Sequence, residues 1–291
     1  MDSDCPKSCR NNKLWIPSQK RKIRMKKTLS LIAALAFLVA GTADAFTVDN
    51  HATVAYIAQQ HMSHRALKNF QKAFDNHPLV EFASYPDFFR AIYKINGYQI
   101  GHSVNLDENM YPIPMKEGEK ADAYNALVHA IEQLKDYRSL DDSTRYAAMG
   151  LLVHLMGDIH CPGHLKYADR RGDIKSICFK KYLNDDKEKP EVLRYHSFWD
   201  SWCTDMRYSH GFVERAMLFD ISSKKQIREI QKGSLEDWTH ASAVDCQNLF
   251  DVKEGQLVER VYVTRMAGEA ARQVSKAGYR LAAIMNELFA R

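Results

Sequence analysis

The stretch RYAAMGLLVHLMGDIHCPGH, from Arg145 to His164, sets a histidine and an aspartate four residues apart, His154 and Asp158. On an α-helix that spacing stacks the two side chains on one face, one turn above the other. His164 follows beyond Pro162-Gly163, a pair that must end any helix before it. YHSFWD repeats the four-residue spacing with His196 and Asp200. Imidazole and carboxylate are ligands for Zn²⁺ and similar borderline cations. One such pair is common on a solvated helix face. Two pairs and a further histidine point to a metal site.

Helical patterns must carry these residues. Ala147, Leu151, Leu155 and Ile159 recur at helical spacing, which predicts an amphipathic helix bearing His154 and Asp158. NHATVAYIAQQHMS reads as a helix from Asp49, with Asp49 or Asn50 as its cap and His51 in its first turn. A second helix is expected over about Arg65 to Phe74. ASYPDFFRAI predicts a helix start behind Pro86 with Asp87 in its first turn and Arg90 one turn on. GYQIGHSVNL, which holds His102, reads as extended or loop. Further helices are expected over 117–135, over 191–207 with His196 and Asp200, over 220–250 around Gly233, and over 254–290. Eight to ten helices with little sheet make an all-α fold, one compact domain over residues 46–291.

The chain has 291 residues and a formal net charge of +5. That charge sits in residues 1–45, which hold nine Lys or Arg and three acids. The remainder, with 32 basic and 33 acidic residues, lacks the basic footprint of a high-affinity nucleic-acid binder. If it handles phosphates, bound metal must supply the positive charge. Residues 25–45 have the layout of a signal peptide: Lys26 and Lys27, an apolar run from Leu31 to Ala40, and Ala43-Asp44-Ala45 as cleavage site. Cleavage there would export the chain to the periplasm or beyond, with Phe46 first. No later apolar run is long enough for a transmembrane segment. Cys161, Cys178, Cys203 and Cys246 remain, and export permits disulfides. Cys161 lies among candidate ligands, but no zinc-ribbon spacing surrounds it; a disulfide or a buried thiol is the simpler expectation.

These motifs, in this order, resemble the zinc-dependent single-strand nucleases of the S-one/P-one type, with 3′-nucleotidase activity. Mature members begin with an aromatic residue, a His five residues on and a helix reading VAYIA; here these are Phe46, His51 and VAYIAQQ. The family's S-W-A-D-x-x-R resembles SYPDFFR, giving Asp87 and Arg90. QIGHSV gives His102, HLMGDIHCPGH gives His154, Asp158 and His164, and RYHSFWD gives His196 and Asp200. The resemblance implies an all-helical fold with three zinc ions in a cleft. One would take Asp87, His102, His154 and Asp158. A second would take His51, Asp158 and the amine and carbonyl of Phe46. A third would take His164, His196 and Asp200. Asp87 and Arg90 would act in catalysis, and His160 would be structural or on the surface. The implied substrates are single-stranded nucleic acid or nucleotides, with no stable protein partner.

This chain departs from the pattern in several places. Phe46 replaces Trp. Ser103 stands where the nucleases carry an aromatic residue that stacks a base. DRRGD, residues 169–173, departs from D-R-G-G-N; Ser201 replaces an Asn; HCPGH replaces H-Q-P-L-H. The ligand set is complete and the base-reading set is degraded. A bacterial zinc phospholipase C is therefore the alternative enzyme, although that family tends to have Glu where Asp200 stands. A non-catalytic zinc-binding protein is the alternative outside enzymes.

Overall fold

The computed structural model describes residues 48–180, 189–208 and 210–290; the side chains of Ser201, Trp202 and Met206 are outside the description. The leader and Phe46 also lie outside the described residues. Eleven α-helices occur among the described residues. The first two are α1 (Val48–Gln60) and α2 (His64–Ala73). A one-turn helix α3 (Tyr85–Phe88), α4 (Ala123–Leu134) and α5 (Asp142–Asp158) follow. Then come α6 (Tyr195–Ser197), α7 (Cys203–Arg207), α8 (Phe212–Phe219), α9 (Lys224–Ile230), α10 (Leu235–Cys246) and α11 (Arg260–Phe289).

α5 runs through the core of the described residues. Asp141 caps its start by accepting from the Thr144 amide, and Pro162 lies just past its end. Every residue from Ala148 to Asp158 is buried, so this part of the helix is enclosed on all sides rather than amphipathic. The reason is its packing against α1, α4 and α11 together. α11 also packs along α1. Gly278 permits that approach: a Cβ there would lie 2.6 Å from Ile57 Cγ2.

The sheets are small, and each serves a loop. β1 (Lys94–Ile95) pairs antiparallel with β2 (Tyr98–Gln99). β3 (Val104–Asn105) pairs in parallel with β4 (Leu165–Lys166), Val104 opposite Leu165. That pairing ties the His102 segment to the His164 segment. β5 (Ser176–Phe179) lies between β6 (Glu191–Arg194) and β7 (Leu257–Val258).

Three expected helices are shorter than the patterns suggested; the one expected over 254–290 begins at Arg260, behind the strand Leu257–Val258. Residues 117–122 form a turn and the Asp122 cap, whose carboxylate accepts from both Asn125 N and Asn105 N. Residues 191–194 are a strand, because EVLR finds a ladder partner in SICF. Asn50, proposed as a cap, is instead fully buried and bonded across the fold. All four cysteines of the described chain are free thiols rather than disulfides. They sit on separate elements, and burial pushes the thiols of Cys203 and Cys246 up. No described helix is long and apolar enough to cross a membrane.

Candidate metal centre

The C-terminal turn of α5 presents His154 and Asp158 side by side, with His154 Nε2 3.3 Å from Asp158 Oδ2. His154 Nδ1 donates to the Ala83 carbonyl at 2.7 Å. A carbonyl can only accept, so the proton is on Nδ1 and the Nε2 lone pair faces inward. His102 Nδ1 lies 3.1 Å from that nitrogen and 3.0 Å from Asp158 Oδ2. Asp87 Oδ1, carried by α3, is 3.8 Å from both His102 Nδ1 and His154 Nε2. Arg90 Nη2 donates to the same Asp87 oxygen at 3.1 Å. On the far side, His51 of α1 stacks on His154 with ring centroids 3.9 Å apart, and its Nε2 is 3.5 Å from Asp158 Oδ1. Asp158 therefore lies between two groups: His102 and His154 on one oxygen, and His51 and His164 on the other, with His164 Nδ1 3.2 Å away.

A third group lies past the end of α5. A 3₁₀ turn, Pro162–His164, carries His164. Its Nδ1 donates to the His102 carbonyl at 2.7 Å, which directs Nε2 at Asp200 Oδ1, 3.0 Å away. Gly163 makes this possible, since a Cβ there would lie 2.8 Å from Trp199 Cβ. Asp200 sits on a π-helical segment, Phe198–Trp202, a form often found at functional sites. His196 reaches the other carboxylate oxygen, Nε2 to Oδ2 at 3.2 Å, and its ring stacks on His164. Cys161 Sγ is 3.9 Å from Asp200 Oδ1.

The structure thus brings together eight of the nine ligands expected from the sequence, together with Arg90. Phe46 lies outside the described residues. The sequence reading missed the roles of three residues. Asn50 Nδ2 donates to the Asp200 carbonyl at 3.2 Å and to Thr204 Oγ1 at 3.0 Å. Arg215 Nη1 donates to Asn50 Oδ1 at 3.1 Å, inside the fold. This buried chain fixes the Asp200 segment to the helix that carries His51, and nothing in the spacing announced it. The third residue is Phe88, exposed beside Asp87 with Phe89. His160 belongs to the core: its Nδ1 donates to the Met156 carbonyl and its Nε2 accepts from Arg280 Nη1 at 2.7 Å.

The electrostatics show what the cluster demands. Burial would raise the Asp158 carboxyl, but the imidazoles of His154 and His164 and hydrogen bonds from His102 and His154 hold it well below the usual range. Burial would lower His164, yet Asp158 and Asp200 push it up to about 10. Burial and the neighbouring His154 hold His51 well below its ordinary value. Asp87 is raised, chiefly by burial. Positive charge at the centre of this cluster would be strongly favoured.

Metal fits the donors. Three sets of donor atoms converge within 4.8 Å: His51, His154 and Asp158; Asp87, His102 and His154; Cys161, His164 and Asp200. Two nitrogen or oxygen ligands on one tetrahedral zinc stand about 3.3 Å apart, given bonds of about 2.0–2.1 Å. The observed separations of 3.0–3.8 Å bracket that figure. Asp158 Oδ1 and Asp200 Oδ2 are buried without a hydrogen bond of good geometry. Buried carboxylate oxygens left so are costly unless a cation takes them.

The S1/P1 Nuclease family profile matches residues 47–290. The chain belongs to this nuclease family. Membership makes it a hydrolase of phosphodiester bonds, and it assigns nucleic acid as the class of substrate. Comparison with individually curated proteins gives no match.

Proposed function

We propose that this protein is an exported zinc-dependent nuclease that cuts single-stranded DNA and RNA and removes 3′-phosphates from nucleotides. The convergence of three donor sets on the Asp158–Asp200 axis supports this reading above all else. His102, His154, Asp87 and Asp158 would hold one zinc, and His51, Asp158 and the Phe46 amine and carbonyl a second. His164, His196 and Asp200 would hold the third. Bound zinc would supply Lewis-acid charge and lower the pKa of water to near neutrality.

The chain's own residues do the rest. Asp158 keeps its charge through its imidazole neighbours and spans two donor sets. The carbonyls of Ala83 and His102 fix two imidazoles in the tautomer that turns Nε2 inward. Asp87 orients the attacking water from the edge of the cluster. Arg90, anchored on Asp87, adds fixed positive charge as charge builds on the phosphate oxygens. Exposed Phe88 and Phe89 offer faces to unpaired bases, which a duplex would keep stacked inside. Because the chain after the leader is near neutral, affinity for the backbone must come from the metal centre rather than a basic groove.

The experiment is a substrate panel on zinc-reconstituted protein: single-stranded DNA, duplex DNA, a 3′-nucleotide and phosphatidylcholine. Cleavage of single strands over duplex, with 3′-phosphate release and no lipid turnover, is expected. Preference for phosphatidylcholine would instead select a phospholipase C. A second arm adds one residue before Phe46: the free amine is lost as a ligand, so zinc content and activity should both fall. Full activity of that extended protein, intact by mass spectrometry, would remove Phe46 from the ligand set.

A further inference from the structure

We propose that the Cys161 thiolate is a ligand of the ion held by His164 and Asp200, which gives that site a sulfur donor. This rests on the zinc reading above. Cys161 follows His160 immediately and begins the turn that carries His164, so sulfur and imidazole leave the same short segment. The thiol is fully buried. Its Sγ and His164 Nε2 both face Asp200 Oδ1, at 3.9 Å and 3.0 Å, while His196 addresses Oδ2. A sulfur and an oxygen on one tetrahedral zinc stand about 3.5 Å apart, given bonds of about 2.3 Å and 2.0 Å. The observed sulfur–oxygen separation is a few tenths of an ångström longer than that, inside a set of donors that all lie within 4.8 Å.

A second observation points the same way. Asp200 is buried, and although His196 Nε2 lies 3.2 Å from its Oδ2, that oxygen receives no hydrogen bond of good geometry, which a cation among these donors would satisfy. No other cysteine shares that set. On binding, the thiol proton passes to solvent and the sulfur lone pair forms the metal bond. Thiolate is a softer donor than imidazole or carboxylate, so this ion becomes the one most selective for zinc over harder cations.

Cobalt(II) replacement tests the proposal without reference to turnover. Chelated protein is loaded with cobalt and its near-ultraviolet spectrum is recorded against metal equivalents. A sulfur-to-cobalt charge-transfer band should grow with one of the three equivalents. It should vanish in Cys161→Ser and Cys161→Ala but persist in a protein with Cys178, Cys203 and Cys246 all changed to serine. Three bound cobalt ions with no such band in the unmodified protein overturn the thiolate and leave the three-ion reading intact. Fewer than three bound ions and no band overturn both. A band that survives in the Cys161 variants places the sulfur ligand elsewhere and refutes the assignment.

Discussion

The two halves of the metal centre rest on different kinds of structure. His51, His154 and Asp158 stand on long helices whose inner faces are wholly buried, so core packing holds them. His164, His196 and Asp200 stand on a 3₁₀ turn, a one-turn helix and a π-helical segment. That half is anchored by the buried aromatic side chains of its own segment, Tyr195, Phe198 and Trp199, and by hydrogen bonds. The His102 carbonyl, the Asn50 amide and the β3–β4 pairing supply them. The helix-borne ligands His51, His154 and Asp158 should therefore fail chiefly when a ligand itself is lost, and the outer half also when one of its hydrogen-bonded supports is lost.

Replacement of the shared ligand should break the comparison most severely. Asp158→Asn removes a charge that serves two donor sets, and turnover should fall by at least about 100-fold, with two ions lost. Near-normal turnover in zinc-replete protein would mean that Asp158 does not join the sets.

Next in size is the support of the outer half. Asn50→Ala deletes the bridge from α1 to the Asp200 segment and leaves buried partners unpaired. We expect a loss of about 1–3 kcal/mol in stability, read by denaturant unfolding. The Asp200-side ion should weaken about 10–100-fold while the ions beside His154 keep their affinity. Equal weakening of all sites would show that the halves are not independent.

A smaller effect concerns pH. Burial and the neighbouring Arg280 hold His160 neutral, well below its ordinary value of 6.5. The unfolded chain takes up a proton below that pH and the folded chain does not. The contribution is therefore complete above about 6.5 and is lost as pH falls, at no more than about 1.4 kcal/mol per unit. In chelated protein taken from pH 7 to 5, His160→Gln should lose stability less steeply than the parent. Equal slopes would show that His160 takes up its proton in the folded state as well.

A further effect, on binding rather than stability, lies at the rim. Ser103→Phe should tighten binding of a single-stranded oligonucleotide by about 1–3 kcal/mol if the family's stacking position is open here. Phe88→Ala should weaken binding within the same range. An unchanged dissociation constant in both would place base contacts on other residues.

Both four-residue pairs, His154–Asp158 and His196–Asp200, were legible in the sequence, whereas His51, Asp87 and His102 were reached only through the family resemblance. A four-residue His–Asp spacing is a direct reading of helix geometry, and α5 exists where the pattern set it. The pattern could not show that α5 is buried all round, because enclosure depends on three partners distant in the chain. Residues 191–194 were read as helix because strand pairing with 176–179 is a non-local fact. Asn50 looked like a cap for the same reason: its partners Asp200 and Arg215 lie about 150 residues away. Cys161 could be seen among the ligands, but only the distances to Asp200 and His164 distinguish a donor from a bystander.

The most direct test titrates zinc into chelated protein while metal content and cleavage of single-stranded DNA are followed together. Three ions should bind per chain, and cleavage should approach its plateau only as the last of them enters. Full cleavage in the presence of chelator, or a plateau at a single bound ion, would contradict a catalytic centre built on all three donor sets.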